Sequence, residues 1–306
     1  MRSLYLVALA LLWAAPAGAE DAPRTVASEF ASICSGALRC ALISDLADGV
    51  IAECEDIKVT PKDLEIRIAK LPDYIREQIR KYPVHTLDQA ITDRLIAKEA
   101  TDWGRKNGKS AAGEAVLSAY MSARMPEITV TDAEAREFYA EHANMLGGAS
   151  FDQVKDLVIG MVRDAKTLDA QKEFRRSVGE RHRIRVSSAW MRAQNEKWLQ
   201  APVEQARLSG KPTLAVFSVI GCCDRMCPLV EIVRGKYSDT LNVVFVNFSE
   251  EEVLSSIYGV SAIPVEIFYD ANGKEVFRNK RAMSVKDVVE KFKELGALLG
   301  TGGSSG

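Results

Sequence analysis

The sequence predicts a multidomain exported protein, with a mostly α-helical first half followed by an α/β second half. Three observations predict it. The first residues read as a secretory signal. Apolar residues then recur at helical spacing as far as about Gly179. Beyond Ser188 strands and helices alternate, and the pattern closes with a hairpin and a last helix.

Residues 1–19 form the signal. Arg2 supplies a positive start, Leu4 to Ala15 a short apolar stretch, and Ala17-Gly18-Ala19 a cleavage site of small residues that leaves Glu20 as the new N-terminus. The stretch is too short to remain as a membrane span, and no later stretch is apolar enough to cross a bilayer. The expected compartment is therefore oxidising, the periplasm, where disulfides are allowed. The six cysteines, at 34, 40, 54, 222, 223 and 227, all survive cleavage. A formal charge of -2 gives no reason to expect nucleic acid or an acidic membrane as partner.

Residues 20–47 read as a processed, loosely ordered N-terminal segment. The loop between Cys34 and Cys40 is short enough to close as a structural disulfide, and Cys54 is the alternative partner. Residues 48–187 form the helical domain. It opens on a short strand pair over Gly49 to Val59, with Val50, Ile51, Ile57 and Val59 apolar. Thr60 caps the first helix, Pro61 fits its first turn and Asp63 suits its positive end. Val84, Leu87, Ile91, Leu95 and Ile96 keep helical spacing, and a further helix runs near Ala111 to Ala123. Thr131 to Glu134 and Ser150 to Gln153 are capping boxes. The stripe Val154, Leu157, Val158, Met161 and Val162 reads as core. His182 to Val186 alternates as a strand able to pair with the one near Val50, and Arg175, Arg176, Arg181, Arg183 and Arg185 read as a solvated face.

Residues 188–299 form the α/β domain. The order is a helix Asn195 to Leu208 ending at Gly210, a strand Thr213 to Val219, a cysteine loop, a helix from about Pro228, and a strand Val243 to Phe248. A helix capped at Ser249 to Glu252 follows, then strands Val265 to Tyr269 and Glu275 to Phe277 around the turn Asp270-Ala271-Asn272-Gly273. The last helix starts at the Ser284 to Asp287 cap, and residues 300–306 are a glycine- and serine-rich flexible tail.

The loop Gly221-Cys222-Cys223-Asp224-Arg225-Met226-Cys227-Pro228 carries the clearest chemistry. Thiols this close after a strand suit thiol–disulfide exchange or soft-metal binding; the alternative is a structural role. A thiol at a helix N-terminus feels the positive end of the dipole, which favours the thiolate, and Arg225 adds positive charge. Cys222 or Cys223 would attack and Cys227 would resolve the mixed disulfide. Adjacent Cys222 and Cys223 pair only with backbone strain, so Cys223 with Cys227, or Cys222 with Cys227, is expected.

Residues 188–299 resemble a thioredoxin-fold domain. The strand ending Ala215-Val216-Phe217 leads into cysteines at a helix start, Tyr258-Gly259-Val260-Ser261-Ala262-Ile263-Pro264 resembles the segment that ends in the family's cis-proline, and Asp270 to Lys274 matches its hairpin turn. The resemblance implies that Pro264 faces the active site. It also shows departures: counting from Phe217, Cys222 takes the first family cysteine's place, Arg225 the second, and the family's buried acid falls on Val216. Cys223 to Pro228 is similar to Sco-type copper proteins, and the resemblance implies Cu(I) on Cys223 and Cys227 with a distant histidine; His85, His142 and His182 all lie outside this domain, so Cys222 or Met226 would have to serve as the third ligand.

Residues 48–187 resemble the N-terminal and flanking region of SurA/PpiC-type exported folding factors, on Asp48 to Ala52 into Asp56 to Thr60, Leu87 to Ile91, and Val130 to Glu134 into Phe138-Tyr139. The resemblance implies a module that holds unfolded clients. Only Glu141 to Gly148 separate Phe138-Tyr139 from the Ser150 helix, too few for a parvulin domain, so prolyl isomerase activity is not expected. The whole therefore reads as an exported thiol–disulfide oxidoreductase or isomerase with a client-holding domain. Its partners would be unfolded or disulfide-containing exported proteins and a redox partner. The alternatives are a Cu(I) metallochaperone and a non-catalytic holdase or assembly scaffold.

Overall fold

The computed structural model describes residues 23–34, 36–109, 113–142, 146–220 and 226–296. The expected signal, residues 1–19, and the expected tail, residues 300–306, lie outside them. In chain order the first part carries a short helix α1 (Val26–Glu29), a 3-10 turn (Ala37–Cys40) and the strands β1 (Leu42–Ser44), β2 (Ala52–Cys54) and β3 (Ile57–Val59). Helices follow: α2 (Pro61–Ile68), α3 (Asp73–Lys81), α4 (Pro83–Lys106), α5 (Glu114–Arg124), α6 (Asp132–His142) and α7 (Phe151–Arg181). Strand β4 (Arg185–Ser187) returns to the first sheet.

That sheet has the order β1-β4-β2-β3. The expected pairing of the Arg185 strand with the Val50 region is present, as Ala52 opposite Val186 in antiparallel register. Strand β1 pairs parallel to β4, Leu42 opposite Arg185, in a segment where no strand was expected. The segment before Asp48 is correspondingly ordered from Arg24 rather than loose, with Val26, Ala37, Leu38 and Ala41 fully buried. Its order comes from contacts with distant chain: the Leu42 N–H donates to the Ile184 carbonyl, and Asp88 of α4 accepts from the Leu38 N–H at 2.8 Å.

The caps behave as local chemistry requires. The Thr60 hydroxyl accepts from the Asp63 N–H while the Asp63 carboxylate accepts from the Thr60 N–H. The Thr60 hydroxyl, which also donates to the carboxylate at 2.6 Å, and then Arg94 hold the Asp63 carboxyl down at about 2. Helix α7 has 31 residues, about 46 Å at 1.5 Å per residue. Its C-terminal turns enter the main core through Phe174 and Val178, and Gly179 lets the helix lie on the 3-10 turn: a Cβ there would stand 2.1 Å from the Ala37 carbonyl oxygen. Its N-terminal turns pack Phe151, Val158 and Val162 on Ala135 of α6. The expected core stripe therefore divides. Val158 and Val162 are core, whereas Leu157 and Met161, with Leu168 further along, are 58%, 38% and 43% exposed. Of the basic cluster, Arg175 pairs with Asp93, Arg176 with Glu173 and Glu180, Arg181 with Glu99, and Arg185 with Glu53.

Ser187 caps α8 (Ser188–Trp198) directly. The single helix expected from Asn195 to Leu208 is two, because Pro202 has no N–H to continue a helix and instead starts α9 (Pro202–Arg207). Then come β5 (Thr213–Ser218), α10 (Met226–Tyr237), β6 (Asn242–Asn247), α11 (Glu252–Ile257), β7 (Val265–Tyr269), β8 (Glu275–Asn279) and α12 (Val285–Glu294). The second sheet has the order β6-β5-β7-β8, with β5–β6 parallel and the β5–β7 and β7–β8 pairs antiparallel.

One face of this sheet, Leu214, Val216, Val243 and Phe268, packs on Leu229, Val230 and Val233 of α10 and on Val288 and Phe292 of α12. The other face, with Ala215, Phe217, Val246, Val265 and Ile267, belongs to a cluster that also contains Val26, Leu38, Leu87 and Ile91. The apolar core is thus continuous between the two sheets. Polar contacts cross the same boundary: Lys81 pairs with Glu251 at 2.9 Å, and the buried Gln78 accepts from the Val253 N–H at 3.2 Å. Aromatic rings do too. Trp198 meets Tyr82 edge-on at 5.8 Å and stacks on Tyr258 at 5.6 Å, and Tyr258 lies 5.6 Å from Phe217. Among the described residues no helix is long and apolar enough to cross a membrane.

Candidate functional site

The site is built at the C-terminal end of β5. All six β5 residues are buried, as a central strand covered on both faces requires. Phe217 pairs with Val265 at the start of β7, so the residue before Val265 stands level with the exit of β5. That residue is Pro264, and the Ile263–Pro264 peptide bond is cis. At the same level Ser218 pairs with Asn247, the last residue of β6. Among the described residues, Ser218 Oγ and Asn247 Oδ1 are buried without a hydrogen-bond partner. From Ser218 the chain reaches α10 through residues 219–225, and Cys227 is the second residue of that helix. An amide-rich helix start stabilises a thiolate close to it.

Of the site residues expected from sequence, Cys222 and Cys223 lie outside the described residues. The backbone of Cys227 is the second position of α10, and Pro264 stands level with the exit of β5. The three cysteines of the first half are free thiols rather than a disulfide pair. Cys34 is buried with its sulfur 3.9 Å from Asp88 Oδ1. Burial, and then the Asp88 charge, push its thiol up, so it is an unreactive group. Cys40 ends the 3-10 turn and Cys54 ends β2.

Glu266 is the residue that sequence reasoning missed. It is fully buried and pairs directly with Val216, the position where the resemblance put an acid and found none. Directly opposed residues of an antiparallel pair share a face. Val216 and Phe268 mark that face as the one covered by α10 and α12, so Glu266 lies on the side of the helix whose second residue is Cys227. Its carboxylate accepts from the Met283 N–H and the Asn279 amide, both at 3.1 Å. Burial outweighs those two bonds and raises its pKa. The available signal was an acid inside the apolar strand Val265–Tyr269, immediately after the proline.

No protein family matches the sequence, and no curated protein sequence is similar to it. Solved structures with local likeness include these two. One is a malarial protein, with a TM-score of 0.26 and 16% identity, covering 28% of this chain and 96% of the other. The second is a mutant thioredoxin from Halobacterium salinarum NRC-1, with a TM-score of 0.27 and 21% identity, covering 31% of this chain and 85% of the other. The resemblances to SurA/PpiC-type and Sco-type proteins therefore rest on their short motifs alone.

Proposed function

We propose that this protein is an exported thiol–disulfide exchange protein, built as a thioredoxin-like region joined to a helical client-holding region. One observation carries the reading: Cys222 and Cys223 fall between β5 and α10 in the sequence, Cys227 is the second residue of α10, and a cis proline stands level with the exit of β5. Cys222 or Cys223, as thiolate, attacks a client disulfide and expels one client sulfur as a thiolate. The result is a mixed disulfide. Cys227 then loses its proton and attacks the bridge, which releases the client as a dithiol and leaves a disulfide in the loop. Two electrons pass to the client; the reverse sequence oxidises it. Glu266, buried on the α10 side with a raised pKa, is suited to take the Cys227 proton.

The test is a redox titration of the mature chain in glutathione buffers, read by alkylation and mass spectrometry. A reversible two-electron couple confined to the Cys222–Cys227 loop is expected, and Cys227→Ser should abolish it. A loop whose thiols never interconvert with a disulfide overturns the reading.

Client holding is assigned to the exposed stripe Leu157, Met161 and Leu168 on α7. These residues sit on one helix face and are not used by the α6 packing. The double variant Leu157→Ser, Met161→Ser is expected to lose most of the suppression of client aggregation measured by light scattering, with its own melting temperature nearly unchanged. Full suppression by the variant would remove this part of the reading.

A further inference from the structure

The geometry points to a zinc-type metal site at the far end of the first sheet, formed by Cys54, Glu55 and His182 and separate from the cysteine loop. One donor atom from each, the Cys54 sulfur, a Glu55 carboxylate oxygen and a His182 ring nitrogen, lie within 4.8 Å of one another. The three come from two separate pieces of chain. Cys54 ends β2, Glu55 begins the β2–β3 turn with a φ of 52°, and His182 follows the end of α7.

The orientation of the donors carries the inference. His182 Nε2 lies 3.0 Å from Glu99 Oε1. Glu99 is itself fixed by the Tyr120 hydroxyl at 2.8 Å and by Arg181 at 3.0 Å. A carboxylate on one ring nitrogen holds the imidazole in a single tautomer and leaves the other nitrogen as a free lone pair, as in carboxylate–histidine–metal arrangements. That other nitrogen, Nδ1, faces Glu55 Oε1 at 3.7 Å. The second Glu55 oxygen is held by Lys98 at 2.9 Å, so the carboxylate is steered and one oxygen stays available. The Cys54 sulfur is the buried third donor.

The donor set selects the ion. A thiolate, an imidazole and a carboxylate together suit a borderline-soft divalent ion, zinc above all, and hard ions poorly. Donor atoms around tetrahedral zinc stand about 3.5 Å apart, so closure needs a contraction of about 1 Å. The Glu55 side chain, 54% exposed, can supply it. The charges are compatible: Glu55, Asp56 and Glu99 face the site with Lys98 and Arg181, one net negative charge before the thiol ionises. Binding releases the Cys54 proton to solvent and forms one metal–sulfur bond. Three protein donors leave a fourth position for water, and the bound ion would pin the β2–β3 turn to the end of α7.

The test uses the full chain with Cys222→Ser, Cys223→Ser and Cys227→Ser, kept reduced and titrated with Co(II) as the spectroscopic stand-in for zinc. One equivalent should produce a near-ultraviolet thiolate-to-metal band and the visible bands of tetrahedral cobalt, and zinc should displace it. Cys54→Ser should abolish the thiolate band. Glu55→Gln, a change on an exposed turn that the fold tolerates, should weaken binding at least about tenfold. Glu99→Gln should keep the band and weaken binding by about 10- to 100-fold. Absence of a thiolate band in the parent, or an unchanged band in Cys54→Ser, overturns the site. If Cys54→Ser does not fold, parent-like affinity in Glu55→Gln overturns it equally.

Discussion

Gly179→Ala is expected to destabilise the protein by about 3 kcal/mol, the upper part of the range for overpacking a filled core. The added methyl would stand 2.1 Å from the Ala37 carbonyl oxygen and 2.8 Å from its carbonyl carbon and Cα. Those are backbone atoms and cannot rotate aside. Ala37 cannot retreat either, because it is fully buried and the next residue, Leu38, is tied to Asp88 through its N–H. Alanine would gain up to about 1 kcal/mol of helix propensity over glycine, which the clash exceeds. Gly160, on the same helix, has open space within 4 Å of where a methyl group would stand, and it supplies the control. Gly160→Ala should stabilise by about 0.5–1 kcal/mol. Urea unfolding of the two variants checks the pair; equal stabilities would refute the close-approach account.

Glu266→Gln is expected to raise the melting temperature by a few degrees at pH 8 and to leave it unchanged near pH 4. The sign follows from burial. The folded-state pKa of Glu266 lies above its ordinary value of 4.5, so ionisation is harder in the folded chain than in the unfolded one. Below 4.5 the carboxyl is neutral in both states and its full contribution is present. That contribution is lost as pH rises through the raised folded value. Glutamine keeps an acceptor for the Met283 N–H and stays neutral, so it removes the loss. Thermal melts across pH 4 to 8 read this directly; a variant less stable than the parent at pH 8 would show that the carboxylate is wanted ionised. The same variant should slow release of the mixed disulfide and flatten its pH profile, because glutamine cannot accept the Cys227 proton. An unchanged exchange rate would confine Glu266 to a structural role.

The two central strands of the second sheet were legible because they are buried on both faces. Val265–Tyr269 has the expected bounds, and Thr213–Ser218 differs from expectation by one residue, since continuous apolar runs between turn residues leave few alternatives. The caps at Thr60, Ser150 and Ser284 were legible for the same local reason, each spanning four residues. What stayed hidden depends on distant partners. Strand β1 is three residues long and exists because β4, more than a hundred residues away, offers its edge. Leu157 and Val158 are neighbours with opposite surroundings, a difference set by where α6 lies. Around the candidate site, the cysteines and the proline were readable as motifs. Glu266 was not, because its meaning comes from standing across the sheet from Val216.

The rings of Tyr82, Trp198, Tyr258 and Phe217 form an unbroken chain of ring contacts from the helical half to the strand that feeds the cysteine loop. With Ser187 closing one sheet and at once capping α8, the chain has no slack there to act as a hinge. If the helical half holds a client, as proposed, that client would not be swung toward the cysteine loop on a flexible arm. The dimensions of this frame, rather than any tether, would then decide which client disulfides could exchange.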